Sequence, residues 1–169
     1  RLDVFFCGQD THDRRHQAIE AAREAAPSVA RLIRGTGEFG AHDDGAPGGM
    51  PRKDYAAAMA DTKVAPCPSG PVSPDSLRLY EALEAGAVPI ADGSTPDGPV
   101  PGYWPITFGE PVPFPVLDNW HELAEQVARI RSEWPAPSSR CSAFWQQWKR
   151  KLVYALDDDV RELSGIEPE

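Results

Sequence analysis

Ser76-Leu77-Arg78-Leu79-Tyr80-Glu81-Ala82-Leu83-Glu84-Ala85-Gly86-Ala87-Val88-Pro89-Ile90 reads as a helix, a stop and a strand. Leu79, Ala82 and Leu83 recur at three- and four-residue spacing, so they share one helical face, and that face must be buried. Gly86 is the residue type that tolerates the left-handed conformation in which helices commonly end. The run 87–91 is apolar, short and preceded by glycine, as a strand covered on both faces is. Upstream, Ser73 or Asp75 is expected to cap the helix, with Pro74 suited to its first position. Before it, residues 63–68 (Lys63-Val64-Ala65-Pro66-Cys67-Pro68) read as another strand.

The same alternation extends in both directions. Leu2-Asp3-Val4-Phe5-Phe6-Cys7-Gly8 is a strand ending in glycine. A helix over 12–26 places Ala18, Ile19, Ala22 and Ala25 on one face, and Pro27 closes it. A second strand is expected at 29–33, then a loop over 35–51 that holds six glycines and no periodicity. A short helix over 52–62 sets Tyr55 and Met59 one turn apart. Beyond 91, a Pro- and Gly-rich loop leads to a weak fifth strand at 106–109. Asn119 with Glu122 forms a capping box for a helix that carries Leu123, Val127 and Ile130. Ser138 opens the last helix, with Phe144, Trp148, Leu152 and Ala155 on a stripe and a break expected near the acidic run 157–159. Strands alternating with helices predict an α/β fold: a Rossmann-like open parallel sheet of about five strands with helices on both faces. The pattern is continuous, so residues 1–169 are read as one domain.

Composition narrows the partners. The chain has 169 residues, 41% apolar, and a net charge of −9, which disfavours non-specific binding to nucleic acid or an anionic membrane. Three cysteines, Cys7, Cys67 and Cys141, show no metal-ligand spacing; their odd count fits buried thiols in a reducing, cytoplasmic compartment. No apolar run reaches the roughly 20 residues of a membrane span, and no secretory signal is visible. The chain starts at Arg1 without an initiator Met, so it is read as a piece of a longer protein.

In such sheets ligands bind beyond the carboxyl ends of the strands, where strand order reverses. The two exits expected to face each other are Cys7-Gly8-Gln9-Asp10-Thr11 and Pro68-Ser69-Gly70-Pro71. Gly8 and Gly70 either admit a ligand close to the backbone or simply make turns. Both exits lead into helix N-termini, which favour anions. Arg78 and Glu81 lie three residues apart on one helix face. They either bind phosphate and ribose, by a planar cationic fork and a hydroxyl-accepting carboxylate, or form an exposed ion pair. His12 and His16 are one turn apart with no third ligand in view, and His42 lies beside Asp43 and Asp44. No metal site and no cofactor are expected. The aromatic set Trp134, Phe144, Trp145 and Trp148 is read as helix packing.

Residues 63–70, 76–83 and 85–90, with Phe5-Phe6-Cys7-Gly8, Arg14-Arg15 and Asn119-Trp120-His121-Glu122-Leu123, resemble the donor-binding domain of exostosin-type glycosyltransferases, which have the GT-B fold. The likeness runs over about residues 1–134. It implies one half of a GT-B enzyme, with a nucleotide diphosphate sugar as donor. It further implies Glu81 on the nucleotide ribose, Arg78 near the diphosphate, and Ser76, Gly70 and Ser69 lining the nucleotide. Gly8, Gln9 and Arg14 or Arg15 would serve the phosphates from the first loop. Many GT-B enzymes carry a second glutamate eight residues before the ribose-binding one. Here that position is Ser73, so an inverting, metal-independent reaction is expected. The base and the acceptor site, for an acceptor the resemblance does not identify, would come from a second GT-B domain or chain. The helical segment 137–169 would pack on that partner, with Trp145 or Trp148 at the contact. Another reading is a non-catalytic Rossmann-like interaction module. A dinucleotide-dependent dehydrogenase is disfavoured, because the first turn has only Gly8 in place of G-x-G-x-x-G.

Overall fold

β1 (Leu2–Gln9) carries consecutive buried residues, Val4, Phe5 and Phe6, because both faces of the sheet around it are covered. The computed structural model describes residues 2–25, 31–35 and 50–164. After β1 come α1 (Asp13–Ala25), β2 (Arg31–Gly35), α2 (Arg52–Ala60), β3 (Thr62–Cys67), α3 (Leu77–Ala85) and β4 (Val88–Asp92). A two-stranded ribbon, β5 (Ser94–Thr95) and β6 (Gly98–Pro99), follows, then α4 (Tyr103–Phe108), β7 (Val116–Leu117), a single 3-10 turn (Trp120–Glu122), α5 (Leu123–Ser132) and α6 (Ala136–Ser164).

The main sheet has the order β2-β1-β3-β4-β7, and every neighbouring pair is parallel. The chain leaves β1 towards β2, then returns past β1 to β3, so strand order reverses between β1 and β3. Right-handed crossovers put α1 and α2 on opposite faces. α1 packs with α5 on one face, and α2 with α3 on the other. Ile19, Leu123, Val127 and Ile130 fill the first layer, Met59, Leu79 and Leu83 the second. Gly86 ends α3 in the left-handed conformation, as its sequence position predicts.

Four expectations are corrected. The segment 106–109 is not a strand. Gly102 and Gly109, both left-handed, bracket the helix α4; Trp104 and Phe108, four apart, are buried, while Ile106 between them is 79% exposed. The fifth strand of the sheet is β7. α3 begins at Leu77 with Ser76 in the cap position, because Pro74 sits inside a turn closed by the Gly70 N–H on the Asp75 carbonyl, 3.1 Å. α6 runs unbroken through the acidic run. Its first half docks on this domain, with Cys141 buried, Trp145 against Tyr80, and Phe144 and Trp148 against Phe108. The predicted stripe ends early: Leu152 is 43% exposed.

Asn119 caps the 3-10 turn by accepting from the His121 N–H, so half of the predicted capping box forms. The loop predicted at 35–51, with His42, Asp43 and Asp44, lies almost wholly outside the described residues.

Candidate functional site at the strand-order reversal

The carboxyl ends of β1 and β3, the start of α1 and the start of α3 converge on one place. Arg78, on the first turn of α3, is 91% buried and turns inward. Its Nη2 donates to the Cys7 carbonyl at 2.6 Å, and its guanidinium stands 4.3 Å from the centre of the Phe6 ring. Gly8 is what admits it: a Cβ there would sit 2.1 Å from Arg78 Nη2. The close approach at Gly8 is thus made by the protein's own guanidinium. The exposed ion pair between Arg78 and Glu81 does not form. Glu81 instead accepts from the Tyr55 hydroxyl of α2 at 2.5 Å. It is exposed, yet its charge is felt at Cys67, the last residue of β3. Burial pushes the Tyr55 hydroxyl far above its ordinary value, with the Glu81 bond adding to it, so Tyr55 stays a donor.

Arg15 approaches from α1. Its Nε donates to the Ser69 carbonyl at 3.2 Å and its Nη1 to the Gln9 carbonyl at 3.3 Å, so Gln9 acts here through its backbone. Burial and then the charge of Arg78 lower the Arg15 pKa from its ordinary value. A half-buried and a buried guanidinium that repel each other, each bonded to carbonyls and neither to a carboxylate, concentrate positive charge at the crevice. His12 shares the Ser69 carbonyl, its Nε2 lying 3.1 Å away. A carbonyl only accepts, so Nε2 carries the proton. Burial, then Arg15, lower the His12 pKa, against weaker opposing pulls from the Ser69 carbonyl, Asp92 and Asp13.

Arg14 has a different place. Its fork grips Asp92, and its Nη1 donates to the Asp118 carbonyl at 3.0 Å. Asp92, the last residue of β4, is wholly buried. It also accepts from the Ser69 N–H at 3.1 Å, the Ser94 N–H at 3.1 Å and the Trp120 indole at 3.2 Å. This hub ties α1, the exits of β3 and β4 and the 3-10 turn together. Sequence reading missed it; the one available signal was an aspartate closing the apolar run 87–91. The N–H groups of Ser69 and Gly70 are bonded within the protein, to Asp92 and to the Asp75 carbonyl.

Six buried side-chain atoms among the described residues lack a hydrogen-bond partner: His12 Nδ1, Ser69 Oγ, Asp75 Oδ1, Ser76 Oγ, Arg78 Nε and Thr62 Oγ1. Each such atom costs about 1–3 kcal/mol unless something satisfies it. All but Thr62, at the far end of β3, belong to the loops and helix starts of this crevice. Clustered orphan groups of this kind suit a polar ligand.

The solved structure of Anabaena Alr3699/HepE in complex with UDP-glucose superposes on this chain with a TM-score of 0.58, at 16% identity, over 93% of this chain and 49% of that one. The two share a fold. The present chain spans about half the length of the Anabaena protein. No family model and no curated protein matches the sequence.

His12 and His16 diverge rather than pair, His16 turning to Asp10 at 3.2 Å. Among the described residues no group of three or more His, Cys, Asp or Glu is arranged to hold a metal, and no helix is long and apolar enough to cross a membrane.

Proposed function

We propose that this chain is the donor-binding half of a GT-B glycosyltransferase of the exostosin type, holding a nucleotide diphosphate sugar in the crevice between β1 and β3. The observation that carries this reading is the Arg15–Arg78 pair: a half-buried and a buried cation, neither bonded to a carboxylate, at the strand-order reversal, ringed by unsatisfied polar atoms. The shared fold with half of a protein crystallised with UDP-glucose supports it.

In this reading Arg15 and Arg78 face the diphosphate, and the hydroxyls of Ser69 and Ser76 complete its hydrogen bonds. Glu81, preset by Tyr55, accepts from the ribose hydroxyls. Gly8 and Gly70 shape the walls, the Gln9 carbonyl aims Arg15, and Arg14 holds the loops through Asp92. Charge grows on the leaving diphosphate in the transition state, and fixed cations in a water-poor crevice stabilise it without a metal. The reaction inverts the anomeric centre, with the base and the acceptor site supplied by a second domain or chain.

Calorimetry with UDP, GDP, ADP and CDP, on the wild type, Arg78→Ala and Glu81→Ala, tests the assignment. At least one diphosphate binds the wild type, and Arg78→Ala weakens it tenfold or more, from the loss of a charge-assisted bond worth about 1.5–3 kcal/mol. Unchanged affinity in Glu81→Ala removes the ribose role. Silence with every nucleotide favours the interaction module, for which the exposed Val153, Tyr154 and Leu163 of α6 speak.

A further inference from the structure

His12, just before α1, is bonded to the loop after β3. Its Nε2 and the Nε of Arg15 lie 3.1 and 3.2 Å from the same carbonyl oxygen, that of Ser69. The imidazole and the phosphate-facing guanidinium are therefore side by side. Because Nε2 carries the proton, the neutral ring leaves Nδ1 as a bare lone pair, buried and without a partner. A lone pair cannot bond an anion, whereas a protonated Nδ1 can. The Ser69 hydroxyl is fully buried and also unpartnered.

We propose that a pyrophosphate seated against Arg15 and Arg78 draws a proton onto Nδ1 of His12, which then donates to a phosphate oxygen. The proton comes from solvent, no covalent bond changes, and the imidazolium adds a positive charge where the leaving group gathers negative charge. This inference rests on the donor-binding reading above.

The charges around the ring set the direction. In the ligand-free protein burial and Arg15 disfavour the charged form of His12, while the Ser69 carbonyl, Asp92 from β4 and Asp13 on the same helix oppose them less strongly. Arg78, on α3, repels Arg15. A diphosphate brings two negative charges to that pair and reverses the balance. The folded-state value starts below the ordinary 6.5 and rises on binding. Proton uptake therefore occurs in the window between the two values, and affinity falls as pH rises across that window and is constant above it.

The test is calorimetry with UDP-, GDP- and ADP-glucose near pH 6.5, in buffers of low and high ionisation enthalpy. These diesters do not themselves titrate there, so any buffer dependence belongs to the protein. For the sugar nucleotide that binds, the expected result is uptake of up to about one proton per site and an affinity that falls up to tenfold per pH unit between the free and bound values, levelling off above the bound-state value. Both vanish in His12→Gln, whose amide still donates to Ser69. Should that variant fold poorly, the imidazole NMR shifts of the wild type, free and saturated, report the same charging. Binding without uptake, uptake that persists in a folded His12→Gln, or imidazole shifts unmoved by saturation overturns the proposal and leaves the donor reading intact. No binding of any sugar nucleotide overturns both.

Discussion

Gly8→Ala isolates the crowding at the carboxyl end of β1. Gly8 is not among the left-handed glycines of the chain, so alanine meets no backbone penalty there. On conformational entropy alone the change would stabilise by up to about 1 kcal/mol. The new methyl, however, would lie 2.1 Å from Arg78 Nη2 and 3.1 Å from its Cζ. The guanidinium is 91% buried, bonded to the Cys7 carbonyl at 2.6 Å and set over Phe6, so it yields only by giving those contacts up. The charge-assisted bond is worth about 1.5–3 kcal/mol and a partly desolvated cation–π contact about 0.5–2 kcal/mol. After the entropic offset the expected loss is about 1–4 kcal/mol. In an Arg78→Ala background the collision is gone and Gly8→Ala is neutral or mildly stabilising. Urea denaturation of the four proteins closes the cycle, with a coupling of about 2–5 kcal/mol expected. An equal cost of Gly8→Ala in both backgrounds refutes the seating of Arg78 against Gly8.

Asp92→Ala strands the buried Arg14 charge, two N–H groups and the Trp120 indole, and lowers unfolding free energy by about 3–5 kcal/mol in denaturant titration. A loss under about 1 kcal/mol contradicts the hub. Burial pushes the thiols of Cys67 and Cys141 up to about 12. At pH 8 a thiol-specific reagent therefore labels the half-buried Cys7 first and reaches the other two only on unfolding, as mass spectrometry of labelled peptides checks. Removing residues 152–164 changes the denaturation midpoint little, because Val153, Tyr154, Leu156, Val160 and Leu163 of that segment are all more than half exposed. A large drop places them in contact with the body of the fold.

The layers were legible in the sequence because they follow from local pattern. Leu79, Ala82 and Leu83 mark the buried face of α3, and Gly86 marks its end, without knowledge of any distant residue. α4 was misread because six residues between two glycines are too few to display a period, and only the burial of Trp104 and Phe108 separates helix from strand there. The site was legible by type and not by partner. Arg78, Arg15 and Glu81 stood out, but the contacts that define them span long separations: Arg78 with Cys7, Arg15 with Ser69, Glu81 with Tyr55. Asp92 was invisible for the same reason. Every donor except Ser94 is more than twenty residues from it in sequence.

α6 has 29 residues, about 43 Å of helix at 1.5 Å per residue. A segment as short as its outer half would barely be helical alone in water, since the first turn costs more order than its single bond returns. Here that turn is already wound, clamped by the Ser138 hydroxyl on the Gly86 carbonyl and by Glu84 holding both Trp145 and Lys149. The outer half needs only to propagate. Its amide protons should then exchange on a gradient, slowest at the clamp and steadily faster outward, rather than opening as a block.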